Sequence, residues 1–211
     1  MDKLTKGILI GLVLGDGHIN KKDNCLQITH SIKQKEYLDY KNDLLSDIFK
    51  CKKSNLYHRL DSKHNEFVLT KGSRFFKVIR KMLYIDGEKR ITKNILKYLT
   101  PQSIALWIMD DGTHGVNRRN GKIISHSFHL YTYTNLQDTN DIIDAFSNFG
   151  VKMYKIKRQL KCGVRYYLKC KTHELLKLSD LVRPYMIPSM LYKILPDPHE
   201  QNPSVKDEDI V

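Results

Sequence analysis

Apolar and small residues run unbroken from Gly7 to Gly15 and again from Ile104 to Met109. Each run leads into an acid and a glycine, Asp16-Gly17 and Asp111-Gly112. A helix that is apolar on every side is a buried helix, and both runs are too short to cross a bilayer. Gly7, Gly11 and Gly15 recur every fourth residue and so form one stripe. Each glycine costs a helix roughly 1 kcal/mol against alanine. The stripe therefore predicts that another helix backbone comes very close, and the second run is the expected partner. Asp2 or Thr5 opens the first helix. Thr100 is the expected N-cap of the second, with Pro101 at its first position, and Gly17 and Gly112 are expected C-caps.

The segments between the runs follow one order twice. His18 to Asn20 and Leu26 to Thr29 alternate as strands across the polar turn Lys21-Lys22-Asp23-Asn24. Ser31-x-x-Gln34 reads as a capping box for a helix reaching about Phe49. Asn55 to Leu60 and Phe67 to Thr70 form a second hairpin, and Ser73 caps a helix carrying Phe76, Ile79, Met82 and Leu83. After the second run, Gly121 to Thr132 supplies a strand with a long lead-in loop. Thr134-x-x-Gln137 reads as another capping box, for a helix ending near Phe149-Gly150. Val151 to Gln159 and Val164 to Cys170 pair around Cys162-Gly163, and Thr172 caps a last helix that Pro184 stops. Each half reads αββαββα, so the expected class is α+β: a duplicated fold with a pseudo-twofold axis, in which two four-stranded antiparallel sheets flank a central helix pair. The halves are residues 1–97 and 98–195, with a mobile, proline-punctuated tail over 196–211.

Charge narrows the partner. The chain of 211 residues carries +13. The stretch from Pro196 onward holds five acids and one lysine, which leaves the preceding chain at +17. A body this basic points to a polyanion. Cys25, Cys51, Cys162 and Cys170 form no C-x-x-C pair, which argues against structural zinc and for reduced thiols in an intracellular protein. No secretory signal or spanning segment is expected.

Asp16 and Asp111 fall at helix C-termini, where the macrodipole disfavours a carboxylate by up to about 1 kcal/mol. Parallel pairing of the two helices brings both acids to one end and adds like-charge repulsion. A divalent cation relieves both costs, and an oxygen donor set suits magnesium.

These paired motifs resemble those of the LAGLIDADG homing endonucleases, in the form with two motifs in one chain. Leu9 to Gly17 matches the nine-residue motif in register, and Ile104 to Gly112 matches with Leu106-Trp107 in place of the Gly-Leu pair. The yeast mitochondrial intron endonuclease type is similar in Leu99-Thr100-Pro101, in Trp107 to Gly112, and in Pro184 to Pro188 followed by Tyr192-Lys193. The likeness runs from residue 1 to about 195. It implies a monomer whose two sheets make a saddle on double-stranded DNA with a long, nearly asymmetric target. The implied activity is site-specific, magnesium-dependent hydrolysis of one phosphodiester per strand, leaving short 3′ overhangs, with manganese able to substitute.

Carried over residue by residue, the resemblance makes Asp16 and Asp111 catalytic metal ligands, aided by the backbone carbonyls of Gly15 and Asp110. The Asp110 side chain is left out, because its counterpart in the first motif is Gly15. Lys89 and Lys193 are the implied catalytic lysines; Lys89 has Glu88 and Arg90 as neighbours, so its register is open by one residue. Resemblance and strand alternation together nominate Gln27, Thr29, Asn55, Tyr57 and Arg59 for the DNA face of the first half. In the second half they nominate Lys155, Lys157 and Gln159; the register of the return strands is open, with Tyr166 the residue chosen there. Lys21, Lys22, Arg118 and Arg119 are read as loop contacts to phosphate. His18 and His114 follow the acids but lack the tight arrangement of a ββα-metal nuclease.

Two other readings use the same fold: an RNA maturase that assists intron splicing, and a DNA-binding protein that no longer cuts. Both acids are retained, which favours cutting. No splicing-domain signature flanks the motifs, so an intein is the less expected context. The compartment is open among organelle, bacterium and phage-infected cytoplasm.

Overall fold

The computed structural model describes residues 2–195, so the tail expected over 196–211 lies outside the described residues. Helix α1 spans Lys3–Leu14 and helix α5 spans Pro101–Asp111. The glycine stripe faces α5 as the spacing predicts. A Cβ on Gly7 would meet the Tyr98 carbonyl oxygen at 2.8 Å, one on Gly11 the Ser103 carbonyl oxygen at 2.7 Å, and one on Gly15 the Asp110 carboxylate at 2.1 Å. Contacts advance along both helices in the same direction, so they are parallel and their acidic ends coincide. Asp2 caps α1 by accepting from Thr5 N, and Thr100 caps α5 in a reciprocal box with Ser103.

Around this pair the first half places β1 (His18–Ile19), β2 (Cys25–Ser31), α2 (Lys35–Phe49), β3 (Tyr57–Leu60), β4 (Asn65–Gly72) and α3 (Arg74–Leu83). A short hairpin, β5 (Tyr84–Ile85) and β6 (Glu88–Lys89), and α4 (Lys93–Leu96) lead to α5. The second half places β7 (Gly112–Arg119), β8 (Lys122–Thr134), α6 (Leu136–Ser147), β9 (Tyr154–Leu160), β10 (Gly163–Lys171) and α7 (Thr172–Val182). The sheets have strand orders β1-β2-β4-β3 and β7-β8-β10-β9, the same topology twice. One face of each is fully buried against helices, through Leu26, Ile28 and Leu69 in the first and Phe128, Leu130, Leu168 and Cys170 in the second. The other face of each is open.

Several local expectations change. Ser31 opens a 3-10 turn over Ile32–Gln34 and caps nothing with its side chain; α2 starts only at Lys35. Asn135, not Thr134, caps α6, because the Thr134 hydroxyl is bonded to Thr139 instead. Thr172 is inside α7, with its hydroxyl tied to both backbone groups of His126. Gly112 does cap α5, its N–H bonding the Ile108 carbonyl, but not in the left-handed region; α1 is capped by Gly15 and not by Gly17. Gly112 has φ −81°, and a Cβ on Gly17 would lie 2.2 Å from the Leu12 carbonyl oxygen, so close packing demands that glycine. The lead-in loop after the second motif is a full strand, β7, closed by Asn120-Gly121, both at positive φ (51° and 80°). That is the backbone a two-residue hairpin turn needs. Arg118 and Arg119 therefore end a strand, paired with Ile123 and Lys122.

Candidate active site

The two motifs end differently. Helix α1 stops at Leu14, and Gly15 leaves the helical region at φ −79°, ψ −130°. Helix α5 continues through Asp110 and Asp111. At the shared end the acids divide into two sets, each completed by a lysine from a distant segment. Lys89 Nζ donates to the Leu14 and Gly15 carbonyl oxygens at 3.0 and 3.1 Å. Lys193 Nζ donates to the Asp110 carbonyl oxygen at 2.8 Å. Each lysine thus rests on the carbonyl nominated as a metal ligand in one motif. Arg90 turns the other way. Its guanidinium binds both oxygens of Asp138 at 2.8 Å, and Ile91 N donates to the same carboxylate at 3.0 Å. That clamp fixes the register and directs Lys89 inward.

Electrostatics follow from burial. Asp111 is pushed up to about 7, by desolvation first and by Asp110 and Asp16 next; Trp107 Nε1 donates to it at 3.2 Å. Asp16 is also raised, by desolvation and then by Asp110, although its side chain remains 44% exposed. Burial lowers both Lys89 and Lys193, with the acids opposing. Two carboxylates whose ionisation is opposed by burial lie beside the Gly15 and Asp110 carbonyl oxygens and together form an oxygen donor set. This chemistry fits a hard divalent cation.

A third acid lies beneath. The Asp110 carboxylate has no exposed surface and pairs with equally buried Lys41 at 2.6 Å. Its other oxygen accepts from Asp16 N at 3.0 Å. Lys41 also donates to His30 Nε2 at 2.8 Å, and burial, then Lys41, pushes His30 down to about 4. Asp16, His30 and Asp110 have the spacing of a metal-ligand cluster, but the Lys41 ammonium is already the cation between Asp110 and His30. Lys41, His30 and Asp138 were not singled out from sequence, and Trp107 was read only as part of the second motif. Lys41 had a signal: it lies on the α2 face that buries Tyr37, Leu38 and Leu45. His18 and His114 have other partners, Tyr84 and His126.

Two clefts open on the surface, one of them lined by Asp111. One, of ≈ 450 Å³, is lined by Gly15, Lys89, Asp111, Tyr133, Asp138 and Arg165 among others. The other, of ≈ 430 Å³, lies between Ser31–Tyr37 and Ser189–Tyr192. They occupy equivalent strand-to-helix junctions of the two halves.

Register fixes which nominated residues share the open faces. Gln27 and Thr29 lie opposite Thr70 and Val68, and Tyr57 and Arg59 lie opposite Val68 and Glu66. All four share the open face of the first sheet, with Arg59 ion-paired to Glu66. Asn55 lies two residues before β3, and Lys21 and Lys22 are exposed in the β1–β2 turn. In the second sheet the alternation is reversed from the expected one. Lys155 is opposite Leu168 and Lys157 opposite Tyr166, so Lys155, Lys157, Gln159 and Tyr166 share the helix side; Lys155 bonds Asn140 of α6. Tyr154, Ile156 and Arg158 take the open face, with Tyr167 and Lys169. A bulge in β8, with Tyr133 at φ 46°, gathers His129, Tyr131, Tyr133 and Tyr167 there in mutual ring contact.

The family model for the LAGLIDADG DNA endonuclease family matches residues 6–178. The chain belongs to that family. Within it, this LAGLIDADG chain is 28% identical over 209 residues to a probable intron-encoded endonuclease 1 of Wickerhamomyces canadensis, covering 92% of this chain and 85% of that protein. It is also 28% identical over 218 residues to a RecA protein of Mycolicibacterium flavescens, covering 90% of this chain and 46% of that protein. It thus spans about half the length of that relative. Among solved structures, the homing endonuclease I-WcaI bound to its DNA recognition sequence aligns with a TM-score of 0.70 at 24% identity, over 93% of this chain and 88% of the other. That likeness establishes the shared fold. Among the described residues no helix is long and apolar enough to cross a membrane.

Proposed function

We propose that this chain is a site-specific endonuclease that hydrolyses one phosphodiester in each strand of a DNA duplex. One observation carries the reading: two acids meet at the parallel ends of α1 and α5, each in a set with a buried lysine, between two open sheet faces. Asp16 and Asp111, with the Gly15 and Asp110 carbonyls, would hold magnesium, or manganese in its place. Such an ion, when bound, relieves charge on the phosphoryl oxygens and makes water a stronger nucleophile.

The remaining work belongs to the chain. Lys89 and Lys193, with proton affinity lowered by burial, polarise water or hand a proton toward a leaving oxygen. Gln27, Thr29, Tyr57 and Arg59 on one sheet, and Arg158 and Lys169 on the other, meet base edges. Lys21, Lys22, Arg118 and Arg119 meet phosphates and set the register. Residues 1–97 and 98–195 each serve one half of a long, nearly asymmetric target, so a monomer suffices, and the expected product carries short 3′ overhangs.

The test is incubation with a library of duplex targets and magnesium, followed by sequencing of the new ends. Paired cuts at one recurrent sequence support the reading. An absence of paired cuts with magnesium and with manganese would contradict it.

A further inference from the structure

The early end of α1 leaves the Asp16 N–H without a helical acceptor, because Gly15 has already left the helix. In the second motif the equivalent N–H, that of Asp111, stays inside α5. The missing bond is supplied from across the helix pair, by Asp110 Oδ2 at 3.0 Å. This requires Gly15, since the Asp110 carboxylate fills the space a Cβ would take, 2.1 Å away. The other carboxylate oxygen is held by Lys41 at 2.6 Å, and neither side chain reaches solvent.

A trans peptide points its N–H and C=O in opposite directions. Asp110 holds the N–H side of the Gly15–Asp16 peptide, and Lys89 meets the C=O side at 3.1 Å. One carboxylate therefore sets both the Asp16 backbone and the aim of the Gly15 carbonyl. We propose that Asp110, backed by Lys41, is a positioning residue that holds the Gly15–Asp16 peptide in the geometry needed for metal-dependent cleavage. The role rests on the nuclease reading above; the hydrogen bond itself does not. Duplication alone would not produce it, because Gly15 has no side chain to return the contact to Asp111.

Removing one charge would strand the other in the interior, so the test uses paired substitutions that remove both. Lys41→Met with Asp110→Asn keeps an amide oxygen to accept from Asp16 N. Lys41→Met with Asp110→Ala does not. Three readouts separate the possibilities: hydrogen exchange at the Asp16 amide, Mn²⁺ binding by the free protein followed by electron paramagnetic resonance, and duplex cutting. The Asn pair should match wild type within about threefold in all three. The Ala pair should exchange the Asp16 amide at least tenfold faster and need at least tenfold more Mn²⁺ for half-saturation. It should also cut at least tenfold more slowly, while binding the duplex in calcium within about threefold of wild type.

Unchanged exchange and Mn²⁺ affinity in the Ala pair would overturn the positioning role. So would an Asn pair as impaired as the Ala pair, since the ion pair and not the acceptor would then matter. If wild type cuts no duplex while exchange and Mn²⁺ binding behave as expected, the nuclease reading fails and the peptide-holding role survives.

Discussion

The Arg90 guanidinium grips the Asp138 carboxylate at two points, Nε to Oδ2 and Nη2 to Oδ1, each at 2.8 Å. This contact between the linker and α6 decides that Lys89, and not its basic neighbour, faces the acids. Burial works to raise Asp138, but the Arg90 bonds and the Ile91 N–H outweigh it and hold the group below its ordinary value. Its stabilising contribution is therefore present above the unfolded carboxylate range and lost as pH falls through the lower folded value. Asp138→Asn should destabilise by about 1.5–3 kcal/mol at neutral pH, the usual range for hydrogen bonds to a charged group. The difference from wild type should shrink in strong acid. Denaturant unfolding at neutral and acid pH checks this; a difference independent of pH would refute it.

Asp111 gives the opposite sign. Its folded value near 7 exceeds the unfolded value, so the metal-free fold takes up a proton there. Stability from this group is full below the unfolded carboxylate range and falls as pH rises from about 4 through about 7. Without divalent ion, wild type should lose melting temperature over that window relative to Asp111→Asn, and a divalent ion should remove the loss. Parallel curves for the two proteins without metal would show that Asp111 does not titrate as described.

Much of this was legible in the chain. Two apolar runs ending in acids, a four-residue glycine spacing and a repeated element order gave the duplicated fold and the parallel helix pair. Less legible was anything set by a single residue of offset. The β9 face inverted because the partner register, Lys155 opposite Leu168, is fixed by the core and not by β9, whose residues are exposed on both sides except Ile156. The Asp110–Lys41 pair was invisible for a different reason: the residues are 69 apart, and only the fold puts one against the other.

The face inversion gives a direct contrast. Arg158→Ala should relax base preference within one half of the target. Lys155→Ala should leave the preferred sequence unchanged, because that side chain reaches α6. Sequencing of selected targets for each variant checks this. A changed preference with Lys155→Ala alone would reverse the assignment.

Affinity for duplex should fall steeply with salt, since a body at +17 neutralises several phosphates and releases their counterions. Lys22→Ala and Arg119→Ala should each lessen the slope of log Kd against log salt by about one contact, without changing the preferred sequence. A flat salt response of the wild-type protein would rule out phosphate contact as the main source of affinity.

The pairing of Asp16 and Asp111 as metal ligands is tested most directly by Asp16→Asn and Asp111→Asn, each followed for melting, target binding and cutting. Both acids lie where burial and like charge oppose ionisation, so neither substitution should lower the melting temperature, and both variants should bind the target duplex as wild type does. Both should fail to make the double-strand cut in magnesium. A variant that still cuts at the wild-type rate, or one that loses cutting only because it unfolds several degrees lower, would contradict the assignment.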